Sequence, residues 1–195
     1  MSKKNIRILA SKSPRREKIL KMINLDFLII PSSVNEDFDL PMPPEAFVEH
    51  WAREKAKDIS KAKPKSLVIG ADTIVVIDSM KLGKPKNEIE SISMLKLLSG
   101  KTHQVITGVS LMHKELKIDI SFNDTTLVSV KKLTQNDISS YISIYSPYDK
   151  AGSYGIQDGF AAFISSINGC YYNVMGLPIS KFYFVYKKLN YTYSL

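Results

Sequence analysis

Cys170 is the only cysteine in 195 residues, which excludes an internal disulfide and a cysteine-based metal cluster. A reducing, cytoplasmic setting is the expectation. No run approaches the ~18 consecutive apolar residues of a membrane span, and the apolar segment of the opening MSKKNIRILASKS is too short for a secretory signal, so no membrane partner is expected. His50, His103 and His113 lack metal-ligand spacing, and Cys170 has no evident histidine partner; neither a zinc site nor a thiol nucleophile follows. Internal repeats, low-complexity tracts and long linkers are missing as well. The formal charge of +8 raises the question of phosphate-bearing partners. With no RNA-binding aromatic signature, zinc-finger spacing or heptads, however, nucleic acid is not an expected partner.

What is present is an ordinary globular composition, 44% hydrophobic and 24% charged, in a chain long enough to bury about 70% of its unfolded surface. A single domain over 1–195 is expected. Strand-like runs fall at Ile6 to Ala10, Asp26 to Pro31, Ser66 to Asp78, Thr102 to His113 and Leu116 to Val130. Helical periodicity occupies Pro14 to Met22, Pro44 to Lys61, Glu88 to Leu98, Gln135 to Ile144 and Pro178 to Leu189. The alternation predicts an α/β fold, and a hairpin about His113-Lys114-Glu115 makes its sheet mixed.

Several short stretches carry more than packing. In ILASKSPRREKIL, Ser13 is a suitable N-cap and Pro14 suits the first helical position, which puts Arg15 and Arg16 in the first turn. Cations there oppose the helix dipole by a few tenths of a kcal/mol to about 1 kcal/mol. Either the arginines are simply solvated, or they serve an anion such as a polyphosphate together with free N–H groups and two hydroxyls. In LVIGADTIVVID, Asp72 and Thr73 interrupt a buried strand, where a carboxylate is costly unless paired, and Gly70 signals a bulge or a close backbone approach. The helix PPEAFVEHWAREKAKDI places Lys55 within the stripe of Phe47, Val48, Trp51, Ala52, Ala56 and Ile59, where it either meets an anion or snorkels to water. Lys84, before Pro85, sits in an extended or turn segment. Glu36 and Asp37 form an acidic loop able to offer oxygen ligands to a hard cation. Gln157, in the glycine-punctuated DKAGSYGIQDG, carries the donor and acceptor needed to read a base edge.

Taken in order, LASKSPRR, REKA, IGADTIVV, LGKP, LSGKTHQVITGV, DKAGSYGIQ and NVMGLPISK resemble the Maf family of nucleoside triphosphate pyrophosphatases over nearly the whole chain. The resemblance implies a mixed twisted sheet flanked by helices, two lobes with a cleft similar to the inosine triphosphatase architecture, and a homodimer in many members. It implies hydrolysis of nucleoside triphosphates to monophosphate and pyrophosphate with a divalent metal, Mg²⁺ or Mn²⁺. Matched position by position, it makes Asp72 catalytic and puts Ser11, Arg15, Arg16, Lys55 and Lys84 on the phosphates. Glu36 with Asp72 would hold the metal, Asp37 being the alternative to Glu36. Arg15, Thr73 and Gln157 would set specificity, and the flanking motifs resemble the dTTP/UTP branch more than the 7-methyl-GTP branch. Two departures flank the base pocket so implied: Ser146 where the family commonly has Glu, and Asp158 where it has Gly. The rival reading is a nucleotide- or nucleic-acid-binding regulator of cell division and septum formation that turns nothing over.

Overall fold

The computed structural model describes residues 6–193 and 195. Among these residues, strands β1 (Arg7–Leu9), β2 (Leu28–Ile29), β3 (Leu67–Ile77), β4 (Met80–Leu82), β5 (Thr102–His113), β6 (Ile118–Val130) and β7 (Ile164–Asn168) form one mixed sheet. Its order is β2-β1-β3-β5-β6-β7, with β4 paired to β3 off that path. β1 runs parallel to β2 and β3, whereas β4 is antiparallel to β3 and β7 to β6. β5 and β6 neighbour each other through a four-residue connection, too short for a parallel crossover, as the hairpin reading required. Helices α1 (Pro14–Met22), α2 (Pro44–Ala62), α3 (Glu88–Leu98), α4 (Gln135–Tyr145), α5 (Tyr171–Val174) and α6 (Ile179–Tyr193) complete the mixed α/β fold. No helix among the described residues is long and apolar enough to cross a membrane.

Three elements differ from the sequence reading by two residues or more at an end, for local reasons. The second strand shrinks to Leu28–Ile29, both exposed at the sheet edge. β6 begins at Ile118 rather than Leu116 because Lys117 has φ of 54°, a left-handed turn conformation. α6 runs on to Tyr193, although Tyr191 is 92% exposed, so its last turn carries no amphipathic signal to read.

Contacts divide the chain into two compact units, one of Met1–Asp72, Thr107–Asp124 and Gly176–Leu195, the other of Thr73–Ile106 and Thr125–Met175. In the first, α2 lies tightly on the sheet. Phe47, Val48, Ala52 and Ala56 are fully buried, each large apolar side chain contributing about 1.5–3 kcal/mol by burial. The close approach has a backbone cause. A Cβ at Gly70 would overlap the Ala52 carbonyl, and one at Gly108 would overlap the Val48 carbonyl. Gly70 therefore serves a close helix–strand approach rather than a bulge, and it draws the α2 turn bearing Lys55 down onto β3.

In the second unit, Tyr141, Tyr154 and Phe160 form an aromatic cluster, with Phe160 centroids 5.0 Å from Tyr141 and 4.7 Å from Tyr154. His103 joins it, Nε2 lying 2.7 Å from the Tyr154 hydroxyl while Nδ1 is buried without a partner. Burial pushes the His103 pKa down to about 4 from 6.5. The folded state therefore binds fewer protons than the unfolded chain between these values. The stability is present above pH 6.5 and is lost as pH falls toward 4, by up to about 3 kcal/mol. In a series of thermal melts against pH, His103→Gln flattens this acid arm; an unchanged slope in the variant would contradict the assignment.

Candidate functional site

Within the first unit, four separate stretches converge on one cluster of charge. Asp72, in the apolar run of β3, is 5% exposed, and its Oδ1 accepts a hydrogen bond from Lys55 Nζ at 2.8 Å. The same ammonium lies 2.8 Å from Glu36 Oε1, so a single lysine bridges two carboxylates. Lys55 therefore meets anions instead of snorkelling past the core: its side chain is only 12% exposed. Asp72 Oδ2 is buried and lacks a hydrogen-bond partner.

The loop carrying Glu36 is held to α2 on both sides of that residue. Upstream, Asp58 Oδ2 accepts from Ser32 Oγ at 3.0 Å and from the Ser33 N–H at 2.9 Å, contacts that hold the Asp58 pKa below its usual range, the Ser33 N–H foremost. Downstream, the Phe38 ring packs edge-on against Phe47 with centroids 5.4 Å apart. Asp37 turns elsewhere, its Oδ1 accepting the Asp39 N–H at 3.0 Å. Between the alternatives Glu36 and Asp37, Glu36 is the one the structure brings to Lys55 and Asp72.

The N-terminus of α1 supplies the cationic side. Ser13 caps it, its side chain accepting from the Arg16 N–H at 3.4 Å, with Pro14 in the first turn. Arg16 Nε donates to the Gly176 carbonyl at 2.8 Å and Nη1 to Ser11 Oγ at 3.2 Å. The buried Ser11 hydroxyl also accepts from the Ser13 N–H at 3.2 Å. Burial lowers the Arg16 pKa, Asp72 and Glu36 oppose that effect, and neighbouring Arg15 adds to it. The guanidinium remains charged, and it feels both carboxylates of the cluster. Arg15 is half-buried in the same first turn.

Thr73, Lys84 and Gln157 belong to the second unit. Thr73 follows Asp72 in β3, Lys84 is exposed in the loop after β4, and Gln157 is exposed between two short 3₁₀ turns. LGKP and DKAGSYGIQ meet there, the Gly152 N–H donating to the Gly83 carbonyl at 2.9 Å. Gly152 has φ of 67° and faces Val75 so closely that a Cβ would lie 2.8 Å from its Cγ2. Both departures from the family pattern have local work. Ser146 ends α4 with φ of 42°, and Asp158 accepts from the Phe160 N–H at 3.1 Å and from the Tyr141 hydroxyl at 3.2 Å. That hydroxyl in turn accepts the Gly155 N–H at 3.0 Å, while burial raises the Tyr141 pKa.

Two hard carboxylates, one with a buried unpaired oxygen, form a donor set suited to a divalent cation that keeps waters and shares phosphate oxygens. Among the described residues no group of three or more His, Cys, Asp or Glu could hold a metal on its own.

The Maf-like protein model matches residues 7–189. A curated dTTP/UTP pyrophosphatase from Bacillus pumilus (strain SAFR-032) is 48% identical over 174 residues, covering 89% of this chain and 91% of that protein. One so named from Carboxydothermus hydrogenoformans is 45% identical over 175 residues, covering 90% of this chain and 94% of its own. A third, from Ruminiclostridium cellulolyticum, is 43% identical over 184 residues, with 94% and 95% covered. Among solved structures, the Staphylococcus aureus Ham1 protein aligns with a TM-score of 0.40 at 18% identity, over 65% of this chain and 72% of that one. On the family match and on three relatives aligned nearly end to end, this chain belongs to the Maf family.

Proposed function

We propose that this protein is a nucleoside triphosphate pyrophosphatase that hydrolyses dTTP and UTP to the monophosphate and pyrophosphate. The observation that carries the reading is the Lys55 bridge between Glu36 and Asp72 beside Arg16, in a chain 43–48% identical to proteins bearing that activity in their names. In this mechanism Ser11, Arg15, Arg16, Lys55 and Lys84 bind the triphosphate, and the cations among them offset charge growing on the leaving pyrophosphate, an effect worth several kcal/mol in a dry site. Asp72 positions a water for attack on the α-phosphorus and accepts its proton. Lys55 orients Asp72 through Oδ1, leaving Oδ2 available. Glu36 and Asp72 would hold Mg²⁺ or Mn²⁺, whose contribution when bound is Lewis-acid neutralisation of phosphate charge. A cytoplasmic setting and a homodimer accord with this reading.

Gln157, with Thr73 and Arg15, sets base preference: the Gln157 amide pairs with the carbonyl and imide edge of a pyrimidine, and a mismatched base leaves those polar groups unsatisfied. The testing experiment is pyrophosphate release from dTTP, UTP, GTP and 7-methyl-GTP with Mg²⁺ or Mn²⁺. The expected order of kcat/KM places dTTP and UTP first, and Gln157→Leu erodes their lead by about tenfold with a smaller change in phosphate binding. A preference for 7-methyl-GTP would overturn the substrate assignment. Tight nucleotide binding without any turnover would favour the regulator.

A further inference from the structure

The cluster around Asp72 leaves much of the chain's positive charge unexplained. Lys61, Lys63 and Lys65 lie at the end of α2 and the loop beyond it, while Lys114 and Lys117 belong to the β5–β6 turn. The Glu115 N–H donates to the Pro64 carbonyl at 3.1 Å, joining these two stretches at one end of the first unit. Between α2 and the hairpin lies a cavity of about 470 Å³ whose wall includes Lys61, Lys114, Lys117, Met112, Ile118 and Ser60.

The charges at its wall do not cancel. Lys57 and Asp119 also border the cavity, but Lys57 is engaged by Glu54 at 3.0 Å and Asp119 by Arg53 at 2.9 Å. Lys61 shares the field of Asp58, whose carboxylate already accepts from Ser32 and Ser33. Lys61, Lys114 and Lys117 form no ion pair among the described residues. The floor is apolar, Met112 and Ile118 being 8% and 4% exposed. Ser60 is 2% exposed and its Oγ has no hydrogen-bond partner, an arrangement that costs free energy unless something else satisfies it.

Three ammonium groups in no ion pair suit a phosphate, and a concave apolar floor suits an organic body attached to it. A track for a polynucleotide would instead present open aromatic stacking platforms, whereas the ring in this wall, His113, is buried. We infer that the cavity between α2 and the β5–β6 hairpin binds a small phosphorylated compound with a hydrophobic or aromatic body, a site separate from the Asp72 cluster. Its phosphate lies among Lys61, Lys114 and Lys117, its body covers Met112 and Ile118, and Ser60 gains a partner. The inference does not depend on the pyrophosphatase reading.

The test is a titration of the full chain with phenyl phosphate, followed by NMR of the Met112 and Ile118 methyl groups, with inorganic phosphate and phenol as comparators. Saturable shifts at both methyls are expected with a Kd on the order of 1 mM or tighter, at least about tenfold tighter than for either comparator. Lys61→Gln combined with Lys117→Gln weakens phenyl phosphate by about tenfold and leaves UTP turnover within about twofold. Ser60→Ala raises the thermal midpoint of the free protein and weakens the ligand, separating the site from a mere packing defect. Shifts confined to residues near Lys55 and Asp72 would overturn the inference. So would equal affinity for phosphate and phenyl phosphate, or displacement of phenyl phosphate by a tighter-binding single-stranded oligonucleotide.

Discussion

Asp72→Asn lowers the kcat for pyrophosphate release from UTP by about a thousandfold or more, while the variant stays folded and still binds nucleotide. The amide keeps the shape of the side chain in β3, and its carbonyl oxygen can still accept from Lys55, the contact Oδ1 now makes at 2.8 Å. What it loses is the negative charge and the ability to take a proton from water. Stopped-flow or coupled pyrophosphate assays at saturating UTP read the kcat term, and a melt of the same sample reads the fold. A variant with activity near that of the parent protein would remove Asp72 from the chemistry.

Lys55→Met affects activity and stability together. Methionine fills the apolar stripe of α2 well, so packing alone predicts a small change. Yet the ammonium it removes lies 2.8 Å from each of two carboxylates, one of them with a side chain only 7% exposed. Breaking a buried pair by deleting one partner costs about 3–5 kcal/mol. The partly exposed Glu36 contributes little of this, since water screens it. The expected result is a fall of about 2–4 kcal/mol in unfolding free energy by denaturant titration, with UTP turnover down by about a hundredfold or more. The double variant Lys55→Met with Asp72→Asn recovers much of the lost stability, because position 72 no longer holds a buried carboxylate without its ammonium. Additive costs in that cycle would show that Lys55 and Asp72 do not interact.

Where charge sat in a strongly patterned element, the sequence was readable. Asp72 stands out because, Thr73 apart, the residues around it in β3 are apolar, and Lys55 because its position one turn after Trp51 belongs to a buried face. The boundaries of α1, α3 and β5 were legible too, because a cap such as Ser13, helical periodicity and a long apolar run are local signals. Glu36 and Asp37 could not be separated that way. The choice between them depends on Ser32 and Ser33 reaching Asp58 and on Phe38 reaching Phe47, contacts across 25, 26 and 9 positions that no local pattern encodes. The serine pair before the acidic loop was the available trace, and it points to a turn as readily as to an anchor. β4 escaped because it is three residues long and follows Asp78 and Ser79, both at positive φ, so the whole hairpin is too short for periodicity to show. Asp158, a departure when read as sequence, is a cap and a Tyr141 acceptor in the fold.

Hydrolysis of UTP in ¹⁸O-labelled water tests the central claim most directly, because it reports which phosphorus the water attacks. Attack on the α-phosphorus assisted by Asp72 places one labelled oxygen in UMP and leaves the released pyrophosphate unlabelled. Label in pyrophosphate or in orthophosphate, with UMP unlabelled, would contradict the account.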